Sequence, residues 1–300
     1  MTKPRNSPSP IAAEKLPRVA RRGIVRRMLA GVGALLFGSP IGEARSEVVV
    51  AAPTIRFRGD WGEGDPAYAA KICALAMDEV LVWLTPGEIA GLPRLIEIVQ
   101  DRRGPFAALA RPDTPAVTLH LNVRDDHWAQ YVFQFAHELG HVLCNYRRVD
   151  FRTNPYQWLE EACCGAIALF CLERMGRRAR DDPGSVVHER GATLIRYAGD
   201  RRRDYARDGV VVDPRRWLDR HAAELTAARG LVAPATALVT WLEERFHERP
   251  ELVGSLRYLN LWSPAEVGSL GAHLHRWRDR AAPGRDGLPL SLIRELGVTG

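Results

Sequence analysis

Trp128-Ala129-Gln130-Tyr131-Val132-Phe133-Gln134-Phe135-Ala136-His137-Glu138-Leu139-Gly140-His141-Val142-Leu143-Cys144-Asn145-Tyr146 is the stretch from which the rest of the chain can be read. Trp128, Val132, Phe135, Leu139 and Val142 recur at steps of three and four, the signature of an amphipathic helix with a buried stripe. Asp125 or Asp126 is placed to cap its start. On such a helix His137 and His141 share one face, one turn apart, so both imidazoles can reach a single Zn²⁺ at about 2.0–2.1 Å. Glu138 is rotated off that axis and can take a proton from a water held by the metal without ligating the ion itself. This is the chemistry of the His-Glu-x-x-His motif. Without a third ligand, the same pattern would describe two core histidines beside a surface glutamate.

Trp158-Leu159-Glu160-Glu161-Ala162-Cys163-Cys164-Gly165-Ala166 offers that ligand. It opens a second apolar helix, expected to run to about Met175 and to end at Gly176. Nineteen residues lie between His141 and Glu161, enough for a loop and an antiparallel return. A carboxylate near the start of that helix would complete a His₂Glu set and leave the fourth position open, as a catalytic zinc site requires. Glu160 and Glu161 sit about 100° apart, so only one can point at the metal. Leu159 and Ala162 read as core contacts, which favours Glu161.

His137-Glu138-Leu139-Gly140-His141 together with Trp158-Leu159-Glu160-Glu161-Ala162 resembles the gluzincin zinc metallopeptidases, over about residues 115–175. The resemblance implies His137, His141 and Glu161 as zinc ligands and Glu138 as general base and then proton donor in peptide hydrolysis. It implies an α+β, zincin-like fold, a small mixed sheet with the active-site helix, here followed by an α-helical C-terminal lobe. Many gluzincins carry an aspartate four residues after the ligand glutamate, hydrogen-bonded to a ligand histidine. Here that position is Gly165, so the histidine must be held from elsewhere. In a two-lobe zincin the lower lobe commonly supplies a donor for the oxyanion. Tyr197, Tyr205, His221, Arg257 and Tyr258 are all eligible, and the sequence does not choose among them.

The formal charge of +6 is a local matter. Residues 1–44 hold eight Lys/Arg against two Glu, so the remainder carries no net charge, and no basic face speaks for nucleic acid. Arg21-Arg22-Gly23-Ile24-Val25-Arg26-Arg27, the apolar run Met28–Gly38 and the small residues before Ala44 read as an export signal peptide, and the paired arginines resemble a twin-arginine signal. Eleven apolar residues fall well short of the roughly twenty of a spanning helix, so no membrane span is expected in the mature protein. An uncleaved N-terminal anchor is the rival reading, and the expected location is periplasmic or extracellular.

Five cysteines is an odd count, leaving at least one thiol unpaired within an exported chain. If the two helices meet antiparallel at the zinc, Cys144 and Cys164 are offset by about 9 Å, too far for a disulfide. Cys163, Cys164 and Cys171 then read as small buried hydrophobes.

Three units are expected: the signal at 1–44, a catalytic lobe at 45–176 and a helical lobe at 177–300. In the catalytic lobe Val48–Val50, Thr54–Arg58, Leu95–Val99 and Ala116–Val123 read as strands. Asp65-Pro66 begins a helix, Thr85 and Glu88 form a capping box, and Phe106–Ala110 reads as a helical turn. The order strand, helix, strand, strand, then the His-Glu-x-x-His helix resembles the upper half of a zincin, and that resemblance implies that Leu119–Asn122 is a sheet edge that pairs with an extended peptide; His120 reads as a structural residue. In the second lobe, helices are expected over 185–206, from Pro214 through Leu225, over Ala233–Phe246, over Pro250–Leu259 and over Pro264–Arg280. The function read from these features is an exported zinc endopeptidase acting on peptide or protein substrates. The alternative is a catalytically silent binding or assembly protein of the cell envelope with a structural zinc.

Overall fold

The structure is a computed structural model, and it describes residues 51–107, 115–146, 154–228, 230–263 and 267–300. The expected signal segment and the expected Val48–Val50 strand lie outside these residues.

Alternation of apolar and polar side chains builds the sheet. In β2 (Leu95–Gln100) Ile96 and Ile98 are buried, and in β4 (Ala116–Leu121) Val117, Leu119 and Leu121 are buried. β1 (Thr54–Arg58) pairs parallel to β2, and β2 parallel to β4. The two-residue β3 (Phe106–Ala107) closes the order β1-β2-β4-β3, antiparallel to β4. The helical turn expected from Phe106 is thus a strand at Phe106–Ala107. Cross-strand contact decides it, because the Phe106 ring stacks on His120 with centroids 4.1 Å apart.

This strand also corrects the expectation for Leu119–Asn122. Leu119 and His120 are paired with Ala107 and Phe106, while the Gln134 side chain takes both backbone groups of Asn122. That segment is therefore no free edge. His120 sits 3.2 Å from Asp101.

Between β1 and β2, α1 (Pro66–Leu81) starts at Asp65, whose carboxylate accepts from the N–H of Ala67. The short α2 (Pro86–Ala90) carries the complete Thr85–Glu88 capping box. The helix that carries His137 and His141, α3 (Trp128–Leu143), is not capped by an aspartate side chain; His127 stands at its N-cap without such a bond. Asp125 is occupied otherwise, in the left-handed region at φ 56, accepting from Glu63 N–H at 2.9 Å and so tying the helix entrance to the 59–64 turn.

The centre of the molecule is α4 (Gln157–Asp181), in which every residue from Ala162 to Leu172 is buried. A helix apolar all round has to be covered on all sides. α1 and α3 cover one side, and α5 (Gly191–Tyr205) and α7 (Ala233–Glu248) the other. The sequence expectation that Gly176 ends this helix is corrected, since the helix runs five residues further. Gly176 is the crossing point with α5, where a Cβ would lie 2.6 Å from Ile195 and 3.0 Å from the carbonyl of Gly191. The boundary expected after residue 176 consequently falls inside α4, and Glu47–Gly300 is one compact unit. Glu79 on α1, only 1% exposed, is paired with Arg174 at 2.9 Å and with Arg178, which locks α1 to the far half of α4.

The remainder is helical: α6 (Pro214–Ala227), a 3-10 segment at Pro250–Tyr258, α8 (Leu270–Arg280) and α9 (Gly287–Leu296). α8 starts at Ser269, later than the expected Pro264, because the Ser269 side chain caps it. α9 was not expected. Overall the fold is α+β, with a small mixed sheet beside a larger helical body, and among the described residues no helix is long and apolar enough to cross a membrane.

Candidate metal centre

α3 and α4 cross almost backbone to backbone: a Cβ on Gly140 would lie 2.9 Å from both the Cα and the Sγ of Cys164. This approach brings the first turns of α4 beneath the histidine face of α3. His137 and His141 present their rings 5.1 Å apart. Glu161 reaches both, with Oε2 3.2 Å from His137 Nε2 and Oε1 3.6 Å from His141 Nε2. Two ligands bound tetrahedrally at 2.0–2.1 Å stand about 3.3 Å from each other. The two imidazoles and the carboxylate therefore fit a single zinc ion, with ligand atoms all within 4.8 Å of one another.

Each group is poised electrostatically by its neighbours. Burial works against a charge on His141, but Glu161 and Glu160 outweigh it and raise its pKa to about 10. For Glu161 burial acts upward, and His141 and His137 overcome it, bringing the carboxyl down to about 2. Glu138 is 2% exposed and burial raises its pKa against the partial opposition of His137 and His141. Its Oε2 has no hydrogen-bond partner, while the backbone N–H of Ala107 in β3 donates to the carboxylate. A buried carboxyl with one free oxygen beside a metal-ligand set is arranged to exchange a proton.

Sequence reasoning left the support of the histidines open, and the structure supplies it. Glu160 Oε1 is 2.7 Å from His141 Nδ1, and Asn260 Nδ2 donates to Glu160 Oε2 at 2.7 Å. Both residues are buried, at 2% and 1% exposure. Bonding at Nδ1 leaves Nε2 as the ring nitrogen on the Glu161 side, the one that could hold a metal. At Gly165, where many gluzincins carry an aspartate, a side chain would be tightly placed, because a Cβ would already lie 3.1 Å from Val239 and 3.2 Å from the Tyr205 hydroxyl. The adjacent Glu-Glu pair was the signal for Glu160; nothing local in the sequence marks Asn260.

Of the five eligible oxyanion donors, Tyr197 and Tyr205 lie on the α5 wall of this region. Tyr197 packs edge-on to Phe133, one turn before His137, at 6.0 Å. Tyr205 sits one turn of α4 from Glu161, with its hydroxyl pKa raised by burial. The other three are engaged elsewhere. Arg257 donates to the carbonyls of Val142 and Leu143, Tyr258 donates to Glu88, and His221 lies against Trp217.

All five cysteines are buried and free. The Cys164 thiol nevertheless contacts that of Cys144, which corrects the expected separation. The helices register at Gly140 and Cys164 rather than at His141 and Glu161, and this shortens the offset. Elsewhere Glu173, Glu243 and His247 also converge, but Arg202 already bridges the two carboxylates, donating to Glu243 at 2.8 Å, so the group is a closed ion-pair network. Compared with known proteins, the chain matches no family model, no curated protein and no solved structure.

Proposed function

We propose that this protein is an exported zinc-dependent peptidase of zincin-like fold, with endopeptidase action, and that residues 1–44 are its export signal. The observation that carries the reading is the convergence of His137, His141 and Glu161 on one metal-sized volume, with the buried Glu138 carboxyl alongside. Bound zinc would supply a Lewis acid for the peptide carbonyl and acidify a water at its open position. The protein's own part is proton handling and orientation. Glu138 Oε2, unpartnered and buried, accepts the proton of the attacking water and delivers it to the leaving amine. Glu160 fixes His141 with Nε2 toward the metal. Tyr197 and Tyr205, both on α5, are the two candidates for a hydroxyl donor to the tetrahedral oxyanion.

The alternative, an envelope binding or assembly protein with a structural zinc, draws its support from the missing aspartate at Gly165 and from the lack of an identifiable oxyanion donor. The contact of Glu160 with His141 weakens the first of these two reasons, and the intact Glu138 favours the enzyme. The test is incubation of zinc-loaded protein with a mixed peptide library beside Glu138→Gln. Hydrolysis should fall at least about 100-fold in the variant while zinc is retained. Undiminished hydrolysis in Glu138→Gln would remove the mechanism, and an inert wild type would favour the alternative.

A further inference from the structure

The metal centre is braced from a place the catalytic motifs do not reach. Segment 257–260, some hundred residues downstream, is docked on the end of α3 and the start of α4. Asn145 Nδ2 donates to the carbonyls of Arg257 and Leu259, both at 2.8 Å. Arg257 returns the bond by donating to the carbonyls of Val142 and Leu143 at the C-terminal end of α3, the first of which also accepts from the Asn145 N–H. Asn260 completes the set on Glu160. Asn145 and Asn260 both adopt left-handed backbone, at φ 56 and 60, a conformation that asparagine tolerates better than most residues. Two left-handed asparagines, facing each other across one interface and each donating its amide, make a buckle between the site and the helical body.

We infer that Asn260 is a positioning residue for the metal centre: by holding Glu160 against His141 Nδ1 it sets the metal-facing nitrogen, and it couples metal binding to docking of segment 257–260. This rests on the metal-site reading above. The reasoning is one of satisfaction. Glu160 is buried, and its two carboxylate oxygens are bonded one each to His141 and Asn260. Without the amide, one oxygen is left bare in the interior, and the carboxylate turns toward whatever donor it can find. His141 then loses the partner that fixes its tautomer and ring plane. By linkage, a docked segment that strengthens metal binding must itself be held more firmly when metal is bound.

The experiment uses the full chain, with Zn²⁺ affinity measured by chelator competition and ligand geometry by the visible spectrum of the Co²⁺ form. Asn260→Gly keeps a residue at ease with the left-handed backbone and deletes the side chain with its amide. Tyr258→Phe, on the same segment, removes a hydroxyl bonded to Glu88 and serves as control. Asn260→Gly should bind zinc about 10–100-fold more weakly and shift the Co²⁺ spectrum, while Tyr258→Phe stays within about threefold of wild type. Zinc should also slow amide hydrogen exchange across residues 257–260 in wild type but not in Asn260→Gly. Wild-type affinity in Asn260→Gly would overturn the inference and leave the metal centre standing. Equal weakening by Tyr258→Phe would overturn it too, because the effect would then be general loosening. Should Asn260→Gly not fold, Glu160→Gln decides, and unchanged affinity there refutes the coupling. A wild type that binds no zinc ends both readings together.

Discussion

The approach of α3 and α4 at Gly140 can be tested by adding a single methyl group. In an ordinary helix interior Gly→Ala stabilises by about 0.5–1 kcal/mol, because glycine loses more backbone freedom on folding. At Gly140 the new carbon would stand 2.9 Å from the Cα and Sγ of Cys164. One of these is backbone in the middle of the central helix, so it cannot swing aside. Overpacking of that kind costs about 1–3 kcal/mol, and the backbone contact places this case in the upper half of the range. The clash therefore wins, with a net loss of about 1–2 kcal/mol. For a chain of this size that lowers the melting temperature by roughly 2–4 °C. Gly199→Ala in α5 is the matched control, since its only near neighbour is the movable end of Arg203 at 3.7 Å, and it should gain about 0.5–1 kcal/mol. Scanning calorimetry of both variants in chelator reads stability without metal, and zinc affinity should fall in Gly140→Ala alone because Glu161 is pushed off the histidine pair. A Gly140→Ala protein as stable as wild type, with Gly199→Ala behaving as stated, would refute the close crossing.

The His247 network should be visible in the pH dependence of stability. Burial opposes its charge, but Glu173 and Glu243 raise its pKa to about 9 in the folded protein, so its contribution is complete below about pH 6.5 and is lost as pH rises through 9. The full shift would be worth about 3 kcal/mol, and with 29% of the side chain exposed about 1–2 kcal/mol is expected, read as the difference in urea stability between pH 6 and pH 9.5. A His247→Gln protein with the same pH slope as wild type would rule this out. Each of His137→Ala, His141→Ala and Glu161→Ala should lose zinc, and a full complement in all three would remove the site. All five thiols should resist a water-soluble disulfide reagent in the native protein and react in denaturant without prior reduction, whereas a count below five would reveal a bridge.

Where periodicity was strong, the fold was legible. Thr54–Arg58, α1, α6 and α7 stand close to the bounds that alternation, proline and capping residues suggest, and His137, His141 and Glu161 meet as their spacing implies. Local chemistry misled where a tertiary contact overrode it. Gly176 reads as a helix stop, yet it is the notch in which α5 crosses. Asp125 reads as a cap, yet it is taken by the 59–64 turn. Phe106 reads as helical, yet stacking on His120 draws it into the sheet. Asn260 was invisible for a simpler reason, since its partner Glu160 lies a hundred positions earlier and no periodic pattern links residues so far apart.

That separation bears on how the chain is made. Leu95 in β2 finds Thr54 in β1 before it and Ala116 in β4 after it, and a full sheet exists by about residue 121. The histidine pair and both glutamates have emerged by residue 161, but the amide that steadies them arrives only with residue 260. Pairings this distant along the chain are late and slow to form. During synthesis there is thus an interval in which His137, His141 and Glu161 are all present and the Asn260 amide is not, and the mature geometry belongs to the finished chain alone.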